Sequence, residues 1–188
     1  SEELQLEVES DISTIKSERL DKIKWLEDAP SHNVIGEIKG TTHADEIILL
    51  AAHMDTWDVG DGSMDNGCGC MMAMEAVRLL NRLPFKPSRT IRLVFFTDEE
   101  HFQRGAQAYF KEYGRENHVA AVETDLGCGK PRGFTVDGKK EDMDFLKQML
   151  PSFTPLGVKR IDWGGSGANI APLIENKDIP GIGIAPES

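Results

Sequence analysis

Residues 46–80 read EIILLAAHMDTWDVGDGSMDNGCGCMMAMEAVRLL. The opening EIILLAAH is an almost unbroken apolar run, too short for a helix, which suits a strand covered on both faces. From residue 70 the pattern changes. CMMAMEAVRLLNRL (70–83) places apolar side chains at helical spacing, and PFKPS closes it with two prolines. Between strand and helix, His53, Asp55, Asp58, Asp61 and Asp65 crowd into thirteen positions and are followed by very small residues. A buried strand, an acidic loop and a helix make a βα unit, the building block of a parallel sheet.

Working outward, the alternation continues. TIRLVFFT (90–97) reads as a strand, RGAQAYFKEYG (104–114) as a helix and HVAAVETD (118–125) as a strand. GKPRGFTVDGKK (129–140) reads as a connection. EDMDFLKQML (141–150) is helical, GANIAPLIEN (167–176) is a helix weakened by Pro172, and IPGIGIA (179–185) is a short strand. On the other side, NVIGEIKG (33–40) and EIILLAAH are β-rich runs joined by TTHAD, which predicts a hairpin. Further back, LQLEV (4–8) alternates like a strand and residues 11–28 show near-helical spacing. The fold class expected is α/β, with a mixed, mainly parallel sheet sandwiched by helices. At 188 residues the economical organisation is a single domain over 1–188, with 1–31 as an N-terminal extension.

Composition excludes some partners. A net charge of −11 argues against nucleic acid, which needs a basic face. No apolar stretch approaches the roughly 18 to 20 residues that span a bilayer. SEELQLEVES lacks the basic start and apolar centre of a signal peptide. Three cysteines fit no zinc-finger spacing, and Cys68 and Cys70 are too close together for an ordinary disulfide framework.

The acidic groups fall at strand ends. His53 follows IILLAA, Asp98, Glu99 and Glu100 follow IRLVFFT, and Asp125 follows HVAAVET. Ligand sites of open α/β sheets lie at the carboxyl ends of strands, so these groups can converge. Gathered carboxylates repel one another unless a cation neutralises them, and mixed imidazole and carboxylate donors suit zinc. Taken singly, each residue has a plainer role. Asp65 can be a helix N-cap, Glu99 and Glu100 a charged loop start, Asp125 a turn residue and His53 a structural histidine. Asp55 is placed to accept the second N–H of the His53 imidazole and so fix its tautomer. Taken together, in the order HxD, D, EE, D, they favour a metal site.

With AAHMDTWDVGDGSMDNGCG, RTIRLVFFTDEE, VETDLG and GGSGANIAPLIENKDIPGIGI in view, the chain resembles the M28 family of co-catalytic zinc peptidases over roughly residues 32–184. The close spacing of His53 and Asp65 favours that family over M20-type peptidases. The resemblance implies a zinc-exopeptidase fold and hydrolysis of short peptides or dipeptides. It implies His53 and Asp125 as ligands of one zinc, Glu100 as ligand of a second, and Asp65 bridging them. Asp55 would orient His53. Glu99 would be the general base, taking a proton from a water shared by two Zn2+ ions. It also suggests a homodimer and an extracellular or lysosomal location.

The chain departs from the family in three places. The family's last histidine ligand lies in a segment beyond the final strand, and this sequence stops at Ser188, so a truncated C-terminus is expected. None of the five histidines takes that place: His32 and His43 precede the site, His101 follows Glu100, and His118 precedes a strand. CGCMM replaces a glycine-rich stretch, with Cys68 and Cys70 expected as buried packing residues and facing the metals as the alternative, and Asn169 stands where relatives commonly carry Asp. Trp57 is expected either to pack or to wall a cleft, and His101 and Phe102 either to line it or to be loop residues. Two alternatives remain open: a single-zinc aminoacyltransferase of the glutaminyl-cyclase type, and a peptidase-fold binding module without catalysis.

Overall fold

The computed structural model describes residues 27–57, 59–125 and 127–187. The strand expected at 4–8 lies outside them, as does the helix expected at 11–28 except for Glu27 and Asp28, which have no regular structure. Ser31–Ser188 forms one compact unit, distinct from Ser1–Pro30.

That unit contains strands β1 (Val34–Ile38), β2 (His43–His53), β3 (Arg89–Phe96), β4 (Asn117–Glu123), β5 (Pro131–Asp137), β6 (Arg160–Trp163) and β7 (Gly181–Pro186). Its helices are α1 (Cys68–Arg82), α2 (Arg104–Tyr113), α3 (Lys140–Phe153) and α4 (Ala171–Lys177). The strands form one sheet in the order β1-β3-β2-β4-β7-β5-β6. β3, β2, β4 and β7 run parallel, β1 is antiparallel to β3, and β5 is antiparallel to β7 but parallel to β6. The sheet is mixed and parallel at its centre. No helix among the described residues is long and apolar enough to cross a membrane.

The apolar runs of the central strands are explained by helices on both faces. Leu49, Ala51, Val94, Phe96 and Ala121 bury one face against Ala106 and Tyr109 of α2 and Leu173 of α4. On the other face Leu50, Val122 and Ile184 meet Met72, Ala73 and Ala76 of α1 around a small apolar cavity. Every second residue of one strand therefore serves a different helix layer, which is why β2 lacks polar alternation.

The hairpin expected between residues 33–40 and 46–53 is not formed. β2 has parallel partners on both edges, β3 and β4, so β1 passes over it to pair antiparallel with β3, Glu37 opposite Arg92. Two strands were not expected from the sequence. β5 lies inside the glycine- and lysine-rich stretch read as a connection, and β6 has four largely exposed residues.

Beneath β1 lies a buried polar network. Arg92, only 7% exposed, donates from Nε to Glu37 at 2.6 Å and from Nη1 to the Tyr109 hydroxyl at 3.0 Å, and also pairs with Glu116. The Tyr109 hydroxyl lies 2.8 Å from His118 Nε2, and His118 Nδ1 is 3.3 Å from the Glu116 carbonyl. A carbonyl only accepts, so Nδ1 carries the proton and Nε2 accepts from Tyr109. Burial, more than the nearby Arg92 charge, holds His118 below the ordinary imidazole range.

Candidate metal centre

Three strands deliver the site. β2 ends at His53, β3 runs into Glu99 and Glu100, and β4 runs into Asp125, so these groups meet at the carboxyl edge of the parallel ribbon. Asp65 arrives from the other direction, on the short turn Ser63–Gly67 that leads into α1. The turn is held down by Asn66, whose Nδ2 donates to the Thr124 carbonyl at 2.7 Å beside the end of β4. Gly69 permits that approach, since a Cβ there would lie 2.6 Å from the Thr124 oxygen. The Asp65–Asn66 peptide is cis.

His53 is fully buried at the centre. Its Nε2 lies 2.7 Å from Asp125 Oδ1, 3.0 Å from Asp65 Oδ1 and 3.8 Å from Glu99 Oε2. Donor atoms of His53, Asp65 and Glu100 all lie within 4.8 Å of one another. The structure therefore brings together all five residues singled out as ligands or base.

Asp55 does something other than expected. His53 Nδ1 is 3.0 Å from the Asp55 backbone carbonyl, while the carboxylate stays 3.7 Å away. The carboxylate instead accepts the backbone N–H groups of Glu99 at 3.1 Å and Glu100 at 3.2 Å. Those two amides follow β3 directly, and the carboxylate satisfies both. The tautomer is still set by residue 55, through its main chain, while its side chain positions the Glu-Glu pair.

Electrostatics point the same way. Burial opposes charge on His53, but the adjacent Asp125 carboxylate, with Glu99 and the Asp55 carbonyl, raises it to about 9. Burial first, then neighbouring carboxylates, push Glu99 and Glu100 above the usual carboxyl range. Among the described residues, Glu100 Oε1 is buried with no hydrogen-bond partner. An orphaned buried oxygen within reach of an imidazole nitrogen and a second carboxylate fits a cation as its missing partner. The residues present fit a divalent metal.

One residue was missed in the sequence. Glu123 is 1% exposed, and its carboxylate accepts Asn169 Nδ2 at 2.6 Å and the backbone N–H of Ile170 at 3.2 Å. Gly167 (φ 140°) packs on it so closely that a Cβ would lie 2.0 Å from Oε2. Asn169 thus donates to a buried carboxylate, which an Asp in its place could do only when protonated. Glu123 lies within VETD, where its neighbour Asp125 carries the conspicuous signal. Trp57 is 59% exposed rather than packed, with its ring 5.0 Å from that of His101. Phe102 is likewise exposed, with Arg104 stacked 4.5 Å over it.

The fold is α/β, with a His–carboxylate cluster that fits a metal ion at the carboxyl edge of its sheet. Residues 33–166 match peptidase family M28, and the chain belongs to that family. It is 31% identical over 163 residues to bovine carboxypeptidase Q, covering 86% of this chain and 34% of that protein. This chain therefore spans about one third of that relative's length. A peptidase M28 precursor from Shewanella amazonensis superposes with a TM-score of 0.74 at 34% identity, over 81% of this chain and 35% of that one. The zinc aminopeptidase of Bacillus subtilis shares the fold, with a TM-score of 0.62 at 20% identity over 83% of this chain and 40% of that one.

Proposed function

We propose that this chain carries the site of a co-catalytic two-zinc exopeptidase acting on short peptides or dipeptides. The observation that supports it is the convergence of His53, Asp65, Glu99, Glu100 and Asp125 on one imidazole at the sheet edge. His53 Nε2 and Asp125 would hold one zinc, Glu100 the other, and Asp65 would be shared. When bound, the ions lower the pKa of a water toward about 7 and polarise the scissile carbonyl. Imidazole with carboxylates is a zinc donor set, and the Bacillus subtilis relative is a zinc aminopeptidase.

The chain's own groups supply the proton handling. Glu99 is raised by burial and by its neighbours, so its carboxylate is a stronger base than a solvated one. It accepts a proton from the attacking water and returns it to the departing amine. The Asp55 carboxylate keeps Glu99 in place through the backbone, and the Asp55 carbonyl keeps His53 Nε2 turned inward. Exposed Trp57, His101 and Phe102 stand beside the Glu-Glu pair, where a peptide side chain would lie. A homodimer belongs to the same proposal and is read by sedimentation.

Zinc per chain, by elemental analysis after saturation and dialysis, tests the site, and dipeptide hydrolysis tests the reaction. Two zincs are expected, and Glu99→Gln should retain them while losing roughly 100-fold or more in turnover. Wild-type turnover in that variant, or no retained zinc, overturns the proposal. One zinc with cyclisation of N-terminal glutamine would establish the cyclase alternative. Peptide binding without turnover, unchanged in Glu99→Gln, would establish the binding module.

A further inference from the structure

Two thiols meet beside the metal centre, on the two segments that carry its aspartates. Cys68 follows Asp65 by three residues at the start of α1, and Cys128 follows Asp125 by three residues after β4. Both thiols lie against the same residue, Met64. Met64 bridges both segments: Cys68 Sγ donates to its carbonyl at 3.1 Å, and Cys128 Sγ lies 3.6 Å from its sulfur. Cys70 faces elsewhere, its thiol donating to the His53 carbonyl at 3.0 Å. Residues two apart on a helix do not face each other, so Cys68 and Cys70 are not partners. All three cysteines are free thiols, and the proposed hydrolysis uses none of them.

We propose that Cys68 and Cys128 form a dithiol–disulfide couple, closed by a small disulfide oxidant such as glutathione disulfide, that ties the segment carrying Asp65 to the segment carrying Asp125. Cys128 is exposed and meets the oxidant first. Its thiolate attacks one sulfur of the oxidant, forming a mixed disulfide and expelling one glutathione thiolate. Cys68 then attacks the Cys128 sulfur and expels the second. The two protons lost by the cysteines go to the two released glutathiones, so the protein gives up two electrons and two protons and the oxidant is reduced. Burial first, and the neighbouring Cys128 thiol next, push Cys68 up to about 11, which keeps it protonated at rest, so the second step is driven by the proximity of the mixed disulfide and not by a ready thiolate.

The test uses the full chain without added metal, so its outcome does not depend on the peptidase proposal. The protein is incubated with glutathione disulfide, alkylated, digested and mapped by mass spectrometry. Expected are a loss of two hydrogen masses, a Cys68–Cys128 cross-link and an alkylated Cys70. Cys70→Ser should form the same link, and Cys128→Ser should leave Cys68 alkylated. A bond that includes Cys70, a persistent glutathione adduct on Cys128, or three alkylated thiols would overturn the proposal.

Discussion

His53 and His118 are buried on neighbouring parallel strands, one at each end of the same ribbon, and their surroundings drive them in opposite directions. His118 stands opposite Ile47 near the start of β2, whereas His53 ends that strand. Around His118 the accounts balance: Arg92 answers Glu37 and Glu116, Tyr109 links Arg92 to the ring, and the imidazole stays neutral. Around His53 are Asp65, Glu99, Glu100 and Asp125, with no Arg or Lys paired to them in the described contacts, and the ring is raised to about 9. A closed network stabilises a fold. An unbalanced one holds a place for a cation from outside.

The sharpest way to break the contrast is Arg92→Met, which leaves Glu37 and Glu116 without their shared cation and Tyr109 without its donor. A loss of about 2–3 kcal/mol is expected in urea unfolding, with metal retention unchanged in the fraction that remains folded. Next is pH. In metal-free protein held in chelator, protonated His53 stabilises the fold fully below its unfolded pKa of about 6.5. That contribution is lost as pH rises through about 9. The shift corresponds to a difference on the order of 3 kcal/mol between wild type and His53→Gln, vanishing above that range.

Asp55→Ala should come next, lowering metal affinity about 10- to 100-fold by freeing the Glu99 and Glu100 backbone while leaving the His53 tautomer to the main chain. A competition titration against a chelator reads it. The smallest effect is that of His118. Its folded pKa lies below 6.5, so the unfolded chain binds the proton better and stability falls as pH drops below about 6.5. His118→Gln should flatten that slope, a change opposite in sign to that at His53, read as the pH dependence of urea unfolding below about pH 6.5.

The two ends of the ribbon also differ in how legible they are from sequence. His53, Glu99, Glu100 and Asp125 announce themselves because they follow runs of apolar strand residues, as with His53 after IILLAA, and Asp65 because it lies in the acidic loop just after His53. The Arg92 network does not: Arg92, Tyr109 and His118 sit on three elements and are joined only by packing. The role of Asp55 was visible as a side chain near His53, but not the choice between carbonyl and carboxylate, which the paths of β2 and β3 decide. The β1–β2 hairpin failed because local turn chemistry carries no information on which strand claims the edge of β2. β5 was hidden because its pairing partner β7 lies some fifty residues away, and glycine and proline dominate its stretch.

The position of β7, between β4 and β5, sets an order of events on the ribosome. β1 to β4 can assemble once residue 123 has emerged, but β5 and β6 have no sheet to join until Gly181–Pro186 has been made. At ~5–20 residues per second the outer edge of β4 stays unpaired for on the order of 3–13 s. For that interval an apolar edge strand is open to other nascent chains, and a chaperone that shields it would act there.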